Sequence, residues 1–109
     1  MLRLSNQPRT DGIVVARVKG EPALFIAGRQ VEVNQNVVLL IERLWQNVGR
    51  VVKYDDLCQI LGRVRVGPEE RHLLRQYVLI IKKLLTEHRT SHVLTVASNL
   101  GYALCEITH

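Results

Sequence analysis

The feature that most constrains the fold is the stretch RHLLRQYVLIIKKLL, residues 71–85, in which polar and apolar residues recur at α-helical spacing. On a helix, one broad half of this stretch is apolar and the opposite half is basic and polar, with only Leu79 among the basic residues. The apolar half is wider than the stripe of about 100° that an ordinary surface helix buries. We therefore predict a helix that is deeply buried on one side, or one that contacts both a core and a partner.

Length and composition predict a single domain with an aliphatic core, because 47% of the 109 residues are apolar and only 5% are aromatic. The net charge of +5 is concentrated in residues 63–89, which contain seven basic and three acidic residues. No apolar run approaches the about 20 residues of a membrane helix. The start, MLRLSNQPRT, lacks the apolar segment of a signal peptide. We therefore expect a cytoplasmic protein that does not bind membranes.

The pattern along the chain predicts strands at both ends and helices between them. Residues 1–12 are polar and are expected to form a flexible N-terminal tail. Three short β-type runs at 13–18, 23–27 and 31–33, with turns at KGEP and Gly28-Arg29, predict a small antiparallel sheet. The closing segment HVLTVASNLGYALCEI predicts two strands joined by a Ser98-Asn99 turn.

Three helices are predicted between the sheet and this hairpin. The first has Asn34 as N-cap, apolar positions to Val48, and Gly49 as its stop. The second extends from about Tyr54 to Leu61. The third begins at Pro68 and ends near Glu87, with RVRV (63–66) as a loop before it.

Four segments, in this order, resemble parts of a known family. VEVNQNVVLLIERL is similar to its first strand and helix, and LWQNVGRVVKYDDL resembles its L-x-x-N-x-G-R-V-V-S-R-E-E-L motif. RHLLRQYVLIIKKLL follows the spacing of its recognition helix, and TVASNLGYAL resembles the T-V-R-G-x-G-Y-R-L of its wing. The chain therefore resembles the DNA-binding effector domain of OmpR/PhoB-type response regulators. We expect no receiver domain within these 109 residues, so the resemblance does not by itself imply phosphorylation control.

This resemblance implies an α+β fold, a winged helix-turn-helix with a small N-terminal antiparallel sheet, three helices and a C-terminal β-hairpin wing. Residues 13–109 would form a DNA-binding domain of a transcription regulator that binds double-stranded DNA, with the third helix in the major groove and the wing near the minor groove. The loop before the third helix often faces RNA polymerase or a neighbouring subunit in that family. With the positions of this resemblance and the basic face of the third helix taken together, the predicted DNA-binding residues are Lys53, Tyr54, Arg71, Arg75, Gln76, Leu79, Lys82, Thr95, Ser98 and Asn99.

Within this set, Arg75, Gln76 and Leu79 are expected to read base edges. Phosphate contacts would come from Arg71 and Lys82, and from the predicted helix start at residues 53–54, through backbone N–H groups and charge. The wing positions would fall on Thr95 and Ala97, and Ser98 and Asn99 of the wing turn are also expected to bind DNA. Leu79 and Ala97 stand where many members of the family have arginine.

Alternatives remain open for each of these residues. The basic residues of the third helix could simply form a solvated face. Leu79 could meet a thymine methyl group or mark a contact with another protein. The wide apolar face together with Leu79 also supports a different function, a winged-helix module for protein association or homodimerisation.

No residue pattern indicates catalysis or a metal site. The four histidines and two cysteines lack zinc-ligand spacing, and no nucleophile–base arrangement or phosphate-binding glycine loop is present. We therefore predict neither an enzyme nor a cofactor. Cys58 and Cys105 are expected to be buried thiols rather than a disulfide, and Tyr102 is expected to pack the wing against the third helix.

Overall fold

The structure, a computed structural model, describes residues 12–62 and 67–107. The predicted loop 63–66 and residues 1–11 of the predicted tail lie outside these ranges. Elements occur in the following order: β1 (Val14–Val18), β2 (Glu21–Ile26), β3 (Arg29–Val31), α1 (Gln35–Gln46), β4 (Val52–Lys53), α2 (Tyr54–Ile60), α3 (Pro68–Glu87), β5 (His92–Ala97) and β6 (Gly101–Glu106). This arrangement of a small sheet, three helices and a hairpin confirms the predicted winged helix-turn-helix.

The N-terminal sheet has the order β1-β2-β3 and is antiparallel throughout. Both of its turns contain two residues with left-handed backbone, Lys19 (φ 55°) with Gly20 (φ 82°) and Ala27 (φ 53°) with Gly28 (φ 81°). Two-residue turns of this hand match the twist of the strands that they join. The predicted turns were misplaced. β2 already begins at Glu21, inside the predicted KGEP turn, and β3 ends at Val31 rather than at residue 33.

Helix α1 begins as predicted but ends two residues early. The side chain of Asn34 accepts a hydrogen bond from the backbone N–H of Asn36 at 2.7 Å, which confirms the N-cap. At the other end, the side-chain amide of Asn47 donates to the carbonyl of Arg43 at 2.8 Å. This contact ends the helix before Val48, which is exposed.

The C-terminal sheet contains a strand that the sequence pattern did not indicate. β4 pairs with β6, so the sheet has the order β4-β6-β5. Gly101 lies opposite Lys53 in this pair of strands. A β-carbon at Gly101 would overlap the carbonyl oxygen of Val52 and lie 2.9 Å from the Cα of Lys53. The wing turn also includes Leu100, one residue more than predicted, with Asn99 in the left-handed region (φ 63°).

Helix α3 extends from Pro68 to Glu87, as predicted, and its apolar half joins the core. Its buried side chains are Leu74, Val78, Ile81, Leu84 and Leu85. They pack with apolar residues of α1, α2, β2 and the wing strands, among them Leu24, Leu40, Leu57, Leu94 and Leu104. The predicted burial of this half is therefore correct, although Ile80 at its margin is exposed.

The two cysteines do not form a disulfide in the described part of the chain. Cys58 is fully buried, as expected, whereas Cys105 is only half-buried on β6. Cys105 differs from the prediction because it lies near the end of β6, where the strand leaves the core and Glu106 is already exposed.

Candidate nucleic-acid interface

The exposed face of α3 carries the residues that its periodicity assigned to it. Arg71, Arg75, Leu79 and Lys82 are all exposed and recur at three- or four-residue intervals. Side chains at this spacing lie on one side of a helix. Because the opposite side is buried in the core, the fold holds this basic row rigidly at the surface.

Gln76 is exposed beside this row, and its side-chain nitrogen lies 3.4 Å from the Nε2 atom of His72. Lys83, further along the helix, lies 3.9 Å from Glu87. The basic character of the row therefore comes from Arg71, Arg75 and Lys82, none of which forms an ion pair with a carboxylate within residues 12–62 and 67–107.

The start of α2 adjoins this face, but not in the expected way. The backbone N–H of Tyr54 donates to the carbonyl of Leu100 in the wing turn at 3.0 Å. This N–H is therefore already satisfied, so the predicted phosphate contact at this helix start would have to use the following backbone N–H groups of the first turn. Lys53 remains exposed beside it, so its contribution would come from charge alone.

Two arginines of α3 lie close to two tyrosines, and we call these four residues the arginine–tyrosine cluster: Tyr54, Arg71, Arg75 and Tyr102. The guanidinium carbon of Arg71 lies 4.8 Å from the centroid of the Tyr54 ring, a cation–π contact. The Tyr54 ring meets the Tyr102 ring edge-on at 5.7 Å. The guanidinium group of Arg75 lies near enough to the Tyr102 hydroxyl to act on its pKa.

Burial raises the pKa of the Tyr102 hydroxyl, and the neighbouring Tyr54 raises it further. Arg75 acts in the opposite direction and lowers this pKa. Tyr102 belongs to the same core cluster as the buried side chains of α3, in keeping with the prediction that it packs the wing against this helix. The cation–π contact with Tyr54 orients Arg71 on the exposed side of α3.

A surface depression lies where α2, α3 and the wing turn meet. Its lining residues are Lys53, Tyr54, Asp55, Arg71, Asn99 and Leu100. A second depression lies at the start of α3 and is lined by Gly67, Pro68, Arg71, His72 and Arg75. Arg71 lines both depressions, so the basic surface extends without a break from α3 to the wing turn.

The predicted wing residues separate into two groups. Asn99 lines the first depression, and Ser98 is exposed beside it. Thr95, in contrast, bonds within the hairpin, where its hydroxyl donates to the carbonyl of Ala103 at 3.3 Å. Because side chains alternate along a strand, Thr95 lies on the opposite face from Leu94, which is buried in the core. The structure therefore does not bring Thr95 to the basic surface.

Two apolar residues near this surface were missed by the sequence reasoning. Val96 is paired with Tyr102 across the hairpin, on the face that meets α3, and Leu100 lies in the wing turn. Both side chains are 57% exposed. Nothing in the sequence indicated that these two residues are exposed, because a valine in a strand and a leucine next to a strand usually indicate core positions.

The part of the chain that the structure describes contains neither a metal-binding cluster nor a membrane-spanning helix. Across the described ranges, no group of three or more His, Cys, Asp or Glu side chains is arranged to bind a metal ion. None of the helices in the described residues combines the length and the apolar character that crossing a membrane requires.

The chain is similar in structure to the DNA-binding domain of CpxR from E. coli, with a TM-score of 0.74. The likeness covers 90% of this chain and 94% of that domain, at 21% sequence identity. The fold is a winged helix. No protein-family model and no curated protein sequence matches the chain.

Proposed function

We propose that residues 13–109 form a DNA-binding domain of a transcription regulator, with α3 in the major groove of double-stranded DNA and the wing turn near the minor groove. The observation that carries this proposal is the set of exposed cations Lys53, Arg71, Arg75 and Lys82, which lie along one side of α3 and at the start of α2. Its charges project from the rigid side of α3 and from the start of α2, where no described carboxylate pairs with them. The structural likeness to the DNA-binding domain of CpxR supports the same function, and a cytoplasmic location would follow from it.

In this function, Arg75, Gln76 and Leu79 face base edges in the major groove. Arginine can donate two hydrogen bonds to guanine, and glutamine can bond to adenine. Arg71, Lys82 and Lys53 neutralise phosphates and fix the orientation of the protein on the duplex. Tyr54 holds Arg71 through the cation–π contact, and Ser98 and Asn99 approach the backbone from the wing turn.

The salt dependence of binding tests this proposal directly. Three phosphate contacts, from Lys53, Arg71 and Lys82, predict a slope of roughly −3 for log affinity against log salt on random duplex DNA. Fluorescence anisotropy measures this slope. Lys82→Ala should make the slope less steep by about 1, whereas Arg29→Ala, a change on the exposed β3 of the other sheet, should leave it unchanged. No binding at low salt would refute the function.

Arg75 has a separate expected role in sequence preference. Arg75→Ala should weaken binding to a selected site more than binding to random DNA, because a base contact is lost in the first case and only a charge in the second. Anisotropy titrations on the two duplexes give both losses. Equal losses on both would exclude the base-reading role.

A second candidate function is protein association or homodimerisation, which the exposed Leu79 and Ile80 favour. It predicts a tight dimer in size-exclusion chromatography with light scattering, lost in Leu79→Asp, together with no binding to DNA. A monomer at all salt concentrations would exclude the dimer. RNA polymerase remains a proposed partner through the loop before α3.

A further inference from the structure

Leu79 is the most exposed large apolar side chain of the described residues, at 60%. Arg75 lies one helical turn before it and Lys82 one turn after it, so it stands in the middle of the basic row. Such a side chain contributes nothing to the core of its own chain. It is therefore available to a partner that binds the basic row.

Two more exposed apolar side chains flank the same surface. Val96 pairs with Tyr102, and Arg75 lies near enough to the Tyr102 hydroxyl to act on its pKa. Leu100 lines the depression that contains Lys53 and Arg71. The apolar side chains thus alternate with the cations across the junction of α3 and the wing, rather than forming a patch of their own.

We propose that Leu79 selects DNA sites with a thymine, by contacting its 5-methyl group in the major groove. This inference rests on the proposed function and adds the base that one residue recognises. Phosphates neutralise the surrounding cations but offer no apolar contact to a leucine. The thymine methyl is the apolar group that a base pair presents in the major groove, and an apolar side chain is its usual partner.

Charge argues against a second copy of the chain as the partner of Leu79. In a symmetric dimer through this face, Arg75 and Lys82 of one copy would approach the same residues of the other. Juxtaposed like charges oppose association by several kcal/mol. A DNA duplex instead carries negatively charged phosphates, which repeat along each strand at the same spacing as the bases.

The helix geometry also places the thymine relative to the base that Arg75 reads. Four residues of α-helix rise about 6 Å, and stacked base pairs are separated by about 3.4 Å. If Arg75 bonds to a guanine, the thymine lies one or two base pairs away. The recognised element is a guanine and a thymine in close succession.

The experiment removes and adds the methyl group without changing base pairing. A site is first selected from random duplexes with the wild-type protein, and each thymine in it is then replaced by uracil in turn. Burying one methyl group is worth about fourfold in affinity. We expect one thymine, near the proposed guanine, at which uracil weakens binding by about fourfold. When a cytosine–guanine pair replaces this thymine–adenine pair, 5-methylcytosine should bind more tightly than cytosine by a similar factor.

The variants assign this effect to Leu79. In Leu79→Ala, thymine and uracil at that position should bind equally, and the folded state should be retained because the side chain is exposed. Ile80→Ala is the matched control: it removes a neighbouring exposed side chain about 100° around the helix and should keep the fourfold preference. Circular dichroism confirms the fold of both variants.

Two results would overturn the inference while leaving the proposed function intact. One is a selected site that binds tightly with no thymine sensitive to uracil, and the other is an unchanged sensitivity in Leu79→Ala. A dimer that disappears in Leu79→Asp would also overturn it, in favour of a protein contact. No salt-dependent binding to any duplex would instead refute the proposed function itself.

Discussion

Gly101→Ala should destabilise the protein far more than an alanine at an ordinary turn glycine. Gly101 is buried where β6 pairs with β4, and its backbone does not lie in the left-handed region. The added β-carbon would overlap the carbonyl oxygen of Val52 and lie 2.8 Å from its carbonyl carbon. These are backbone atoms, so no side-chain rotation can relieve the clash, and β4 must separate from β6.

The magnitude follows from what this separation removes. Val52, which is buried, would lose burial worth about 1.5–3 kcal/mol. The pairing of Val52 with Tyr102 and the hydrogen bond from Tyr54 to Leu100 would also be lost, at about 1 kcal/mol for each hydrogen bond. We expect a loss of about 3–5 kcal/mol, a large part of the about 5–15 kcal/mol that stabilises a typical domain.

Urea denaturation followed by circular dichroism measures this loss. Gly28→Ala is the matched control, because Gly28 has φ +81° and open space around it. That substitution costs only the left-handed backbone strain of about 1–2 kcal/mol. If Gly101→Ala is no more destabilising than Gly28→Ala, a β-carbon at position 101 does not force β4 away from β6, and the steric argument is wrong.

Two further predictions concern Tyr102 and Asn34. The pKa of Tyr102 is raised above its usual 10.0 in the folded protein, so its contribution to stability is present below pH 10 and is lost as the pH rises through the folded pKa. Tyr102→Phe should therefore reduce the loss of stability as the pH rises above 10.0, measured as urea midpoints at each pH; an identical alkaline loss would contradict this. Asn34→Ala should lower the unfolding free energy by about 1 kcal/mol by removing the α1 N-cap, and Asn34→Ser should restore most of it. Equal stabilities of the alanine and serine variants would show that the cap contributes nothing.

The helices could be predicted from the sequence because each has a local signal. Pro68 marks the start of α3, Asn34 caps α1, and the apolar period of α3 assigned Arg75 and Leu79 to its exposed side. β4 has no such signal, since two residues are too few to show a strand period. It exists only because residues of the distant wing pair with it. The two N-terminal turns were misplaced because Lys19 and Ala27 adopt a backbone conformation that non-glycine residues seldom use.

The part of the candidate site that lies on α3 could also be predicted, because it too has a local signal in the sequence. Periodicity identified which α3 residues are exposed, but it could not show that Arg71 lies over the Tyr54 ring or that the Tyr54 and Tyr102 rings meet, because these contacts join different elements. The backbone N–H of Tyr54 looked available from the sequence, yet the wing turn occupies it. Val96 and Leu100 resembled core residues until the tertiary structure placed them at the edge of the basic surface.

The direct succession of β4 and α2 has a thermodynamic consequence. β4 ends at Lys53 and α2 begins at Tyr54, so no flexible segment separates the wing sheet from the helix start. The arginine–tyrosine cluster then joins both to α3. A ligand at this junction would find its contacting groups already ordered, and little conformational entropy would be lost from the protein on binding. The heat-capacity change of association should accordingly reflect only the surface buried between two preformed bodies, without the larger decrease that accompanies folding of a segment.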